Sequence, residues 1–160
     1  MFWNLIAKIV SHPPIAEWMI QRALKTPYFH LPGYMGRWWL FNGYGDDHKR
    51  RFSWLPSLRI HWILRADDDP NPHDHPCNAR TFPLKGWYLE NRDGVIYFRF
   101  LGRSAAIPFG MFHNIVRVSE DGVWTLFVMY RRCDSWGFLV DGKKVNYRDY
   151  YKMRKQNEKL

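Results

Sequence analysis

The feature that most constrains the fold is a series of short strand-like segments that alternate apolar and polar residues. Turns containing glycine separate several of them, such as Asp93-Gly94, Asp121-Gly122 and Asp141-Gly142, and aspartate-glycine turns are typical of β-hairpins. Many short strands without long helices between them predict an antiparallel sandwich or barrel rather than a parallel α/β sheet. The predicted segments are residues 84–90, 95–101, 104–107, 112–118, 123–130 and 136–140.

The size of the chain predicts one domain with short additions at its ends. It has 160 residues, of which 46% are hydrophobic and 18% aromatic, enough for one core but short for two. A helical pattern covers residues 15–25, residues 1–10 favour a short helix or an added strand, and Asn146 is placed to cap a last helix. We predict an N-terminal helical appendage over 1–30, a β-barrel over 31–146 and a basic C-terminal helix or tail over 147–160.

The positive charge is concentrated near the end of the chain. The formal net charge is +9, and residues 143–160 hold seven Lys or Arg against two acids, whereas residues 31–142 hold fourteen against twelve. A basic tail is compatible with nucleic-acid binding. We favour a solvated basic helix, because most of the protein carries a nearly balanced charge.

Cysteine content and hydropathy favour a cytoplasmic protein that does not enter a membrane. Only Cys77 and Cys133 are present, so there is no dense disulfide framework. Residues 1–10 lack the basic region and the small-residue cleavage site of a signal peptide. No apolar run approaches the ~18 residues that a transmembrane helix needs.

Three histidines form the candidate metal site. His73 and His75 are two residues apart, so on a β-strand both imidazoles point to the same face. His113 follows the turn Pro108-Phe109-Gly110. Three neutral imidazoles that converge suit a divalent first-row metal and leave coordination positions open.

Two neighbouring segments receive other interpretations. Residues 58–65 alternate cleanly, which places His61 on the polar face of a half-buried strand and predicts an exposed or supporting role for it. Asp67-Asp68-Asp69 lacks the spaced oxygen ligands of a calcium loop, and we expect it to be solvated. Asp74 lies between His73 and His75 and should point away from them, toward a loop.

The order His73-x-His75, Gly86, Pro108-x-Gly110-x-x-His113 resembles the two motifs of the cupin superfamily of small β-barrels. Flanking motifs sharpen the match to a group of cupin-like proteins from bacteriophage and bacterial genomes, over about residues 34–150. These motifs are Arg59-Ile60-His61, His73-Asp74-His75-Pro76, Gly86-x-Tyr88-x-Glu90, Trp124-Thr125-Leu126-Phe127 and Trp136-Gly137-Phe138. The resemblance implies a jelly-roll barrel whose histidines face inward and hold a metal, in the cytoplasm of a bacterium or of a phage host.

The chain departs from the general cupin pattern at two places. Ala79 and Arg80 stand where the first motif usually has a glutamate, and Arg117 stands where many members have asparagine. Either the three histidines act alone, as in thiol-dioxygenase-like members, or Glu90 adds a carboxylate from the next strand. Cys77, two residues past His75, is a further candidate ligand.

The resemblance leaves the reaction open. An iron ion would permit dioxygenase chemistry, and a zinc, nickel or manganese ion would act as a Lewis acid in an isomerase, lyase or hydrolase. Arg99 and Arg117 are candidate residues for binding a substrate carboxylate or phosphate. Three alternatives stay open: a vestigial site whose histidines serve only for hydrogen bonding, a metal that only stabilises the barrel, or a non-catalytic phage accessory protein. Such an accessory protein would bind a small molecule, a nucleotide, nucleic acid or a host protein. A homodimer is expected from the superfamily and from aromatic-rich exposed strands.

Overall fold

The computed structural model describes residues 1–44 and 49–157. Within this part of the chain there are three helices and ten strands. The helices are α1 (Phe2–Val10), α2 (Pro13–Ala23) and α3 (Tyr147–Asn157). The strands are β1 (Met35–Phe41), β2 (Ser57–Ile63), β3 (Cys77–Lys85), β4 (Tyr88–Arg92), β5 (Val95–Arg99), β6 (Ala105–Ile107), β7 (Asn114–Val118), β8 (Val123–Arg132), β9 (Gly137–Val140) and β10 (Lys143–Asn146).

The strands form three antiparallel sheets. The largest has the order β1-β2-β8-β3-β6, the second has the order β5-β4-β7, and β9 pairs with β10. All the pairings between these strands are antiparallel. This arrangement, with helices at both ends of the chain, confirms the predicted mainly β fold.

Both faces of the large sheet are covered, and this determines where its polar side chains lie. Ile60 of β2 belongs to a core cluster formed with α1 and α2, whereas Ile63 packs with Tyr88 and Ile115 of the second sheet. The face of β2 that sequence alternation marks as polar is therefore the barrel interior. His61 lies on that face with only 8% of its surface exposed, so of the two predicted roles the exposed one was wrong and the supporting one remains a prediction.

Several predicted boundaries differ from the structure. The predicted strand 84–90 is two strands, because Gly86 adopts a positive φ of 80° and turns the chain between β3 and β4. The His73 segment is an extended loop with single antiparallel bridges to His113 and Phe138 rather than a regular strand. The first part of β3 and the whole of β10 were not predicted.

Helix α3 packs on the barrel through its aromatic residues. The Asn146 side-chain oxygen accepts a hydrogen bond from the Arg148 amide at 3.0 Å, which is the predicted helix cap. The Tyr150 ring stacks on Phe138 with 3.9 Å between centroids, and Arg154 forms an ion pair with Asp69. Residues 158–160 of the predicted tail lie outside the described part.

None of the helices in residues 1–44 and 49–157 is both long enough and apolar enough to span a bilayer.

Two turn glycines with similar backbone conformations provide a matched test of this packing. A methyl group on Gly86 would lie 2.4 Å from Ser119 Oγ and 2.6 Å from the Gly122 carbonyl oxygen, whereas one on Gly94 would meet nothing within 4 Å. We expect Gly86→Ala to lower the free energy of unfolding by about 3–4 kcal/mol and Gly94→Ala by about 1–2 kcal/mol, the cost of the left-handed conformation alone. Urea denaturation measures both, and equal losses would contradict the described turn.

Candidate metal centre

Three histidines converge inside the barrel. One ring nitrogen from each of His73, His75 and His113 lies within 4.8 Å of the other two. The Nε2 atoms of His75 and His113 are 2.9 Å apart. His73 and His113 also exchange two backbone hydrogen bonds of 2.9 Å, which join the histidine loop to the segment that enters β7. The backbone pairing therefore brings the two halves of the motif together.

Asp74 anchors the loop from the opposite side. Its buried carboxylate accepts hydrogen bonds from the Gly137 amide at 2.7 Å and from Lys144 Nζ at 2.5 Å. The Asp74 amide in turn donates to the Gly137 carbonyl at 3.0 Å. Because adjacent residues of an extended segment point to opposite sides, these contacts direct His73 and His75 toward His113.

Glu90 holds His113 in one orientation. This fully buried carboxylate lies 2.6 Å from His113 Nδ1, accepts a 2.7 Å hydrogen bond from Arg99 Nε and forms a 2.9 Å ion pair with Arg92. Burial raises the pKa of Glu90, but the His113 hydrogen bond and charge together with Arg92 outweigh it and lower the pKa to about 2. An ionised carboxylate only accepts, so His113 donates from Nδ1 and its Nε2 lone pair faces the cluster.

Asp67 is the carboxylate beside His73. Its side chain is largely buried, with Oδ2 3.7 Å from His73 Nδ1 and 2.8 Å from the donating Ile115 amide. Tyr34 donates its hydroxyl proton to the other carboxylate oxygen. The prediction of a solvated acidic loop was therefore wrong for Asp67, because β7 and Tyr34 supply hydrogen-bond donors that the local sequence does not reveal.

The electrostatics of the cluster suit a metal ion. Burial lowers the pKa of His73 to about 4 and the pKa of His75 well below its usual range, and His113 adds to both effects. Both imidazoles are therefore neutral near pH 7. Nitrogens bound to one first-row ion at about 2.0–2.1 Å and at right angles are about 3 Å apart, close to the separation of the His75 and His113 Nε2 atoms. The donor set fits a divalent transition metal.

The structure does not bring Cys77 into the cluster. Cys77 is fully buried among apolar residues, where it packs with Ala79, Ile107 and Met129. Burial raises the pKa of its thiol, which disfavours the thiolate that a metal requires. Among the described residues, only the three histidines form a group with metal-ligand spacing.

The two arginines predicted to bind a substrate lie in different surroundings. Arg99 contacts Glu90 and borders a cavity of about 410 Å³ that also contacts Arg103 and Ser104, but none of the three histidines lines that cavity. Arg117 is exposed on the outside of the barrel, with its guanidinium 5.9 Å from the Trp87 ring. A register shift in the β4–β7 pairing leaves both Val116 and Arg117 facing outward, against simple alternation from His113.

Comparisons with known proteins found similarity at the level of structure only. No protein-family model and no curated protein matched the sequence. Among solved structures, KdgF from Halomonas sp. has 13% identity over 68% of this chain and 91% of its own, with a TM-score of 0.50. Apo-HppE has 11% identity over 66% of this chain and 55% of its own, with a TM-score of 0.51. A cupin 2 conserved barrel domain protein from Rhodopseudomonas palustris has 16% identity over 81% and 82%, with a TM-score of 0.48.

At these identities the likeness concerns the fold. The antiparallel sheets with helices at both ends of the chain confirm the predicted fold class, and KdgF and apo-HppE share this fold. The resemblance to the cupin superfamily is a likeness of fold. Membership of the bacteriophage and bacterial group remains a prediction.

Glu90→Gln tests the buried network behind His113. Removal of the charge leaves Arg92 and Arg99 without the carboxylate that they share, and breaking a buried ion pair from one side typically costs about 3–5 kcal/mol. We expect a loss of that size in chemical denaturation of the metal-free protein. Glu120→Gln, at an exposed turn, is the control and should change stability by less than about 0.5 kcal/mol. If the two variants are equally stable, Glu90 does not hold the network.

Proposed function

We propose that this cupin-fold protein binds one divalent transition-metal ion through His73, His75 and His113, and that the ion acts on a small molecule inside the barrel. The observation that carries the proposal is the convergence of three ring nitrogens within 4.8 Å of one another. The lowered pKa values of His73 and His75 and the Glu90 contact to His113 support it, because they leave lone pairs available for a cation.

The other residues of the site support the ligands. Glu90 fixes the tautomer of His113, Asp67 lies beside His73, and Asp74 ties the loop to Gly137 and Lys144. We assign Glu90 to positioning rather than to metal coordination, because its two oxygens already contact His113, Arg92 and Arg99. Such supporting contacts orient metal ligands and increase affinity.

A bound ion would supply either Lewis acidity or a site for oxygen activation. Imidazole ligands accept iron, zinc, nickel and manganese, so the donor set supports a metal-dependent oxygenase, isomerase or lyase without choosing among them. Three protein ligands are also the usual number in catalytic zinc sites, where a further position is left for water or substrate, whereas structural zinc sites are closed by four.

The non-catalytic alternative and the homodimer remain predictions. Helix α3, which carries much of the basic charge, rests on the barrel through Tyr150 and pairs Arg154 with Asp69, and these contacts favour a structural role for it over nucleic-acid binding.

A homodimer is motivated by the apolar side chains of β5, of which Val95, Ile96 and Phe98 are more than half exposed at the edge of its sheet.

Metal content provides the direct test. Purified without added metal and without chelators, the wild-type protein should carry about one transition-metal ion per chain by elemental analysis, because the fold brings the three histidines together. His75→Ala should lose at least about 90% of this metal. His12→Ala, at an exposed residue before α2, is the control and should keep it. The proposal fails if the wild-type protein contains no metal and His75→Ala has the same properties as the wild type.

Removal and return of the metal separate a catalytic from a structural ion. Because the ion binds only the folded chain, chelation should lower the melting temperature. For a protein held at a free metal concentration of 100 times Kd, the free energy of unfolding should fall by about 2.7 kcal/mol. Activity screened on small-molecule substrates should disappear on chelation and return with one particular metal. Recovery of the melting temperature with every metal, and of activity with none, would assign the ion a structural role.

A further inference from the structure

Two polar side chains on the inner face of β2 each bury a nitrogen atom that has no hydrogen-bond partner among the described residues. Arg59 and His61 are exposed by only 9% and 8%, respectively. Arg59 Nε and His61 Nε2 are both buried, and neither has a hydrogen-bond partner among the described residues. Buried polar groups in native proteins are nearly always paired, and an unpaired one costs about 1–3 kcal/mol, so each such group calls for a specific explanation.

Aromatic rings compensate the Arg59 charge only in part. Its guanidinium carbon lies 4.4 Å from the Trp39 ring centroid, 4.9 Å from that of Tyr28 and 5.8 Å from that of Tyr44. Such contacts stabilise a cation but provide no acceptor for its N–H groups. None of the ion pairs formed within the described part of the chain involves Arg59.

The surroundings of Arg59 reinforce this imbalance. Burial lowers the pKa of Arg59; Tyr28 and Tyr44 offset part of this effect, and the nearby cation Arg37 adds to it. Arg37 has its own acceptor, since its Nε donates to the Phe29 carbonyl at 2.6 Å. Positive charge is thus concentrated at this end of β1 and β2, and a buried guanidinium without an anion is stabilised when an anionic ligand arrives.

The unpartnered pair adjoins the histidine cluster. The His61 ring stacks on Phe127 with 5.0 Å between centroids, and the His75 ring lies 5.3 Å from the same Phe127 ring. Arg59 follows on the same face of β2, two residues from His61. A row of neighbouring side chains therefore connects His75 through Phe127 and His61 to Arg59.

We propose that Arg59 and His61 bind the carboxylate of a small molecule whose other end faces the three-histidine cluster. This inference rests on the proposed function, because it names the substrate class of the same site. Arg59 offers Nε–H and a terminal N–H in a fork that matches two carboxylate oxygens. In the neutral tautomer of His61 that carries its proton on Nε2, that N–H donates a further hydrogen bond. A monocarboxylate matches the single charge of Arg59, and the aromatic rings around it accommodate an apolar substituent.

An NMR titration of the chelator-treated, metal-free protein tests the site, with sodium acetate and inorganic phosphate as separate probes at constant ionic strength. We expect acetate to shift the Arg59 Nε–H and Trp39 indole signals saturably, with weaker or no response to phosphate. Arg59→Gln should weaken acetate binding at least about 10-fold. Arg131→Gln, at an exposed arginine near the end of β8, is the control and should leave the affinity unchanged. The proposal is overturned if the acetate shifts do not saturate or if phosphate binds more tightly than acetate at these signals. It is also overturned if Arg59→Gln binds acetate as tightly as the wild type.

Thermal stability distinguishes a binding residue from a structural one. Replacing a buried unpaired charge by an apolar side chain of similar length often leaves stability unchanged or raises it. Arg59→Met should therefore keep or raise the melting temperature of the acetate-free protein, while acetate no longer stabilises it. A decrease of more than about 5 °C would assign Arg59 a structural role through its aromatic neighbours and overturn the proposal.

Metal analysis of the same samples keeps the two proposals apart. If the wild type binds acetate through Arg59 but never acquires metal, the metal-dependent function fails and the carboxylate site alone stands as a binding site. If metal binds to the three histidines and acetate does not reach Arg59, the substrate class proposed here is wrong and the metal site is unaffected.

Discussion

The buried carboxylate of Glu90 is the interaction on which the candidate site depends. It contacts His113, Arg92 and Arg99 at 2.6–2.9 Å, and each contact would be costly to leave unsatisfied in a dry interior. The same contacts that keep Glu90 ionised also fix the imidazole of His113. His113 also exchanges two backbone hydrogen bonds with His73, and these fix the position of the histidine loop. Asp74 holds the other side of that loop.

The layered architecture gives the interior its polar character. Helices α1 and α2 cover one face of the large sheet, so its opposite face lies inside the barrel against the second sheet. That inner face carries Arg59 and His61 next to Phe127, and the histidine cluster lies beyond it. The small carboxylate ligand that we propose would compensate the Arg59 charge that this interior buries beside the three-histidine cluster.

Much of the fold was accessible from local patterns, whereas the surroundings of the site were not. Alternation and aspartate-glycine turns predicted most of the strands, and the spacing of the histidines predicted their convergence. The sequence made Arg117 a candidate substrate-binding residue and placed Asp67 in a solvated loop, whereas the structure exposes Arg117 on the outside and buries most of the Asp67 side chain. A register shift in the β4–β7 pairing turns Arg117 outward, and Asp67 is buried because the distant Tyr34 and the Ile115 amide donate to it. Neither effect has a signature in the residues nearby.

The sequence by itself determined the antiparallel β class, the terminal helices and the candidate metal-binding triad, because strand alternation, turn chemistry and i, i+2 spacing are local properties of the chain. Only the tertiary structure decided what surrounds those histidines. Glu90 supports His113 because the β4–β7 pairing sets Glu90 opposite Ile115, two residues from His113, and Arg99 reaches it across the β4–β5 pairing. His61 became an interior residue because helices cover the other face of its strand. Such neighbours come from distant segments, and their proximity depends on register and layer packing, which local pattern does not encode.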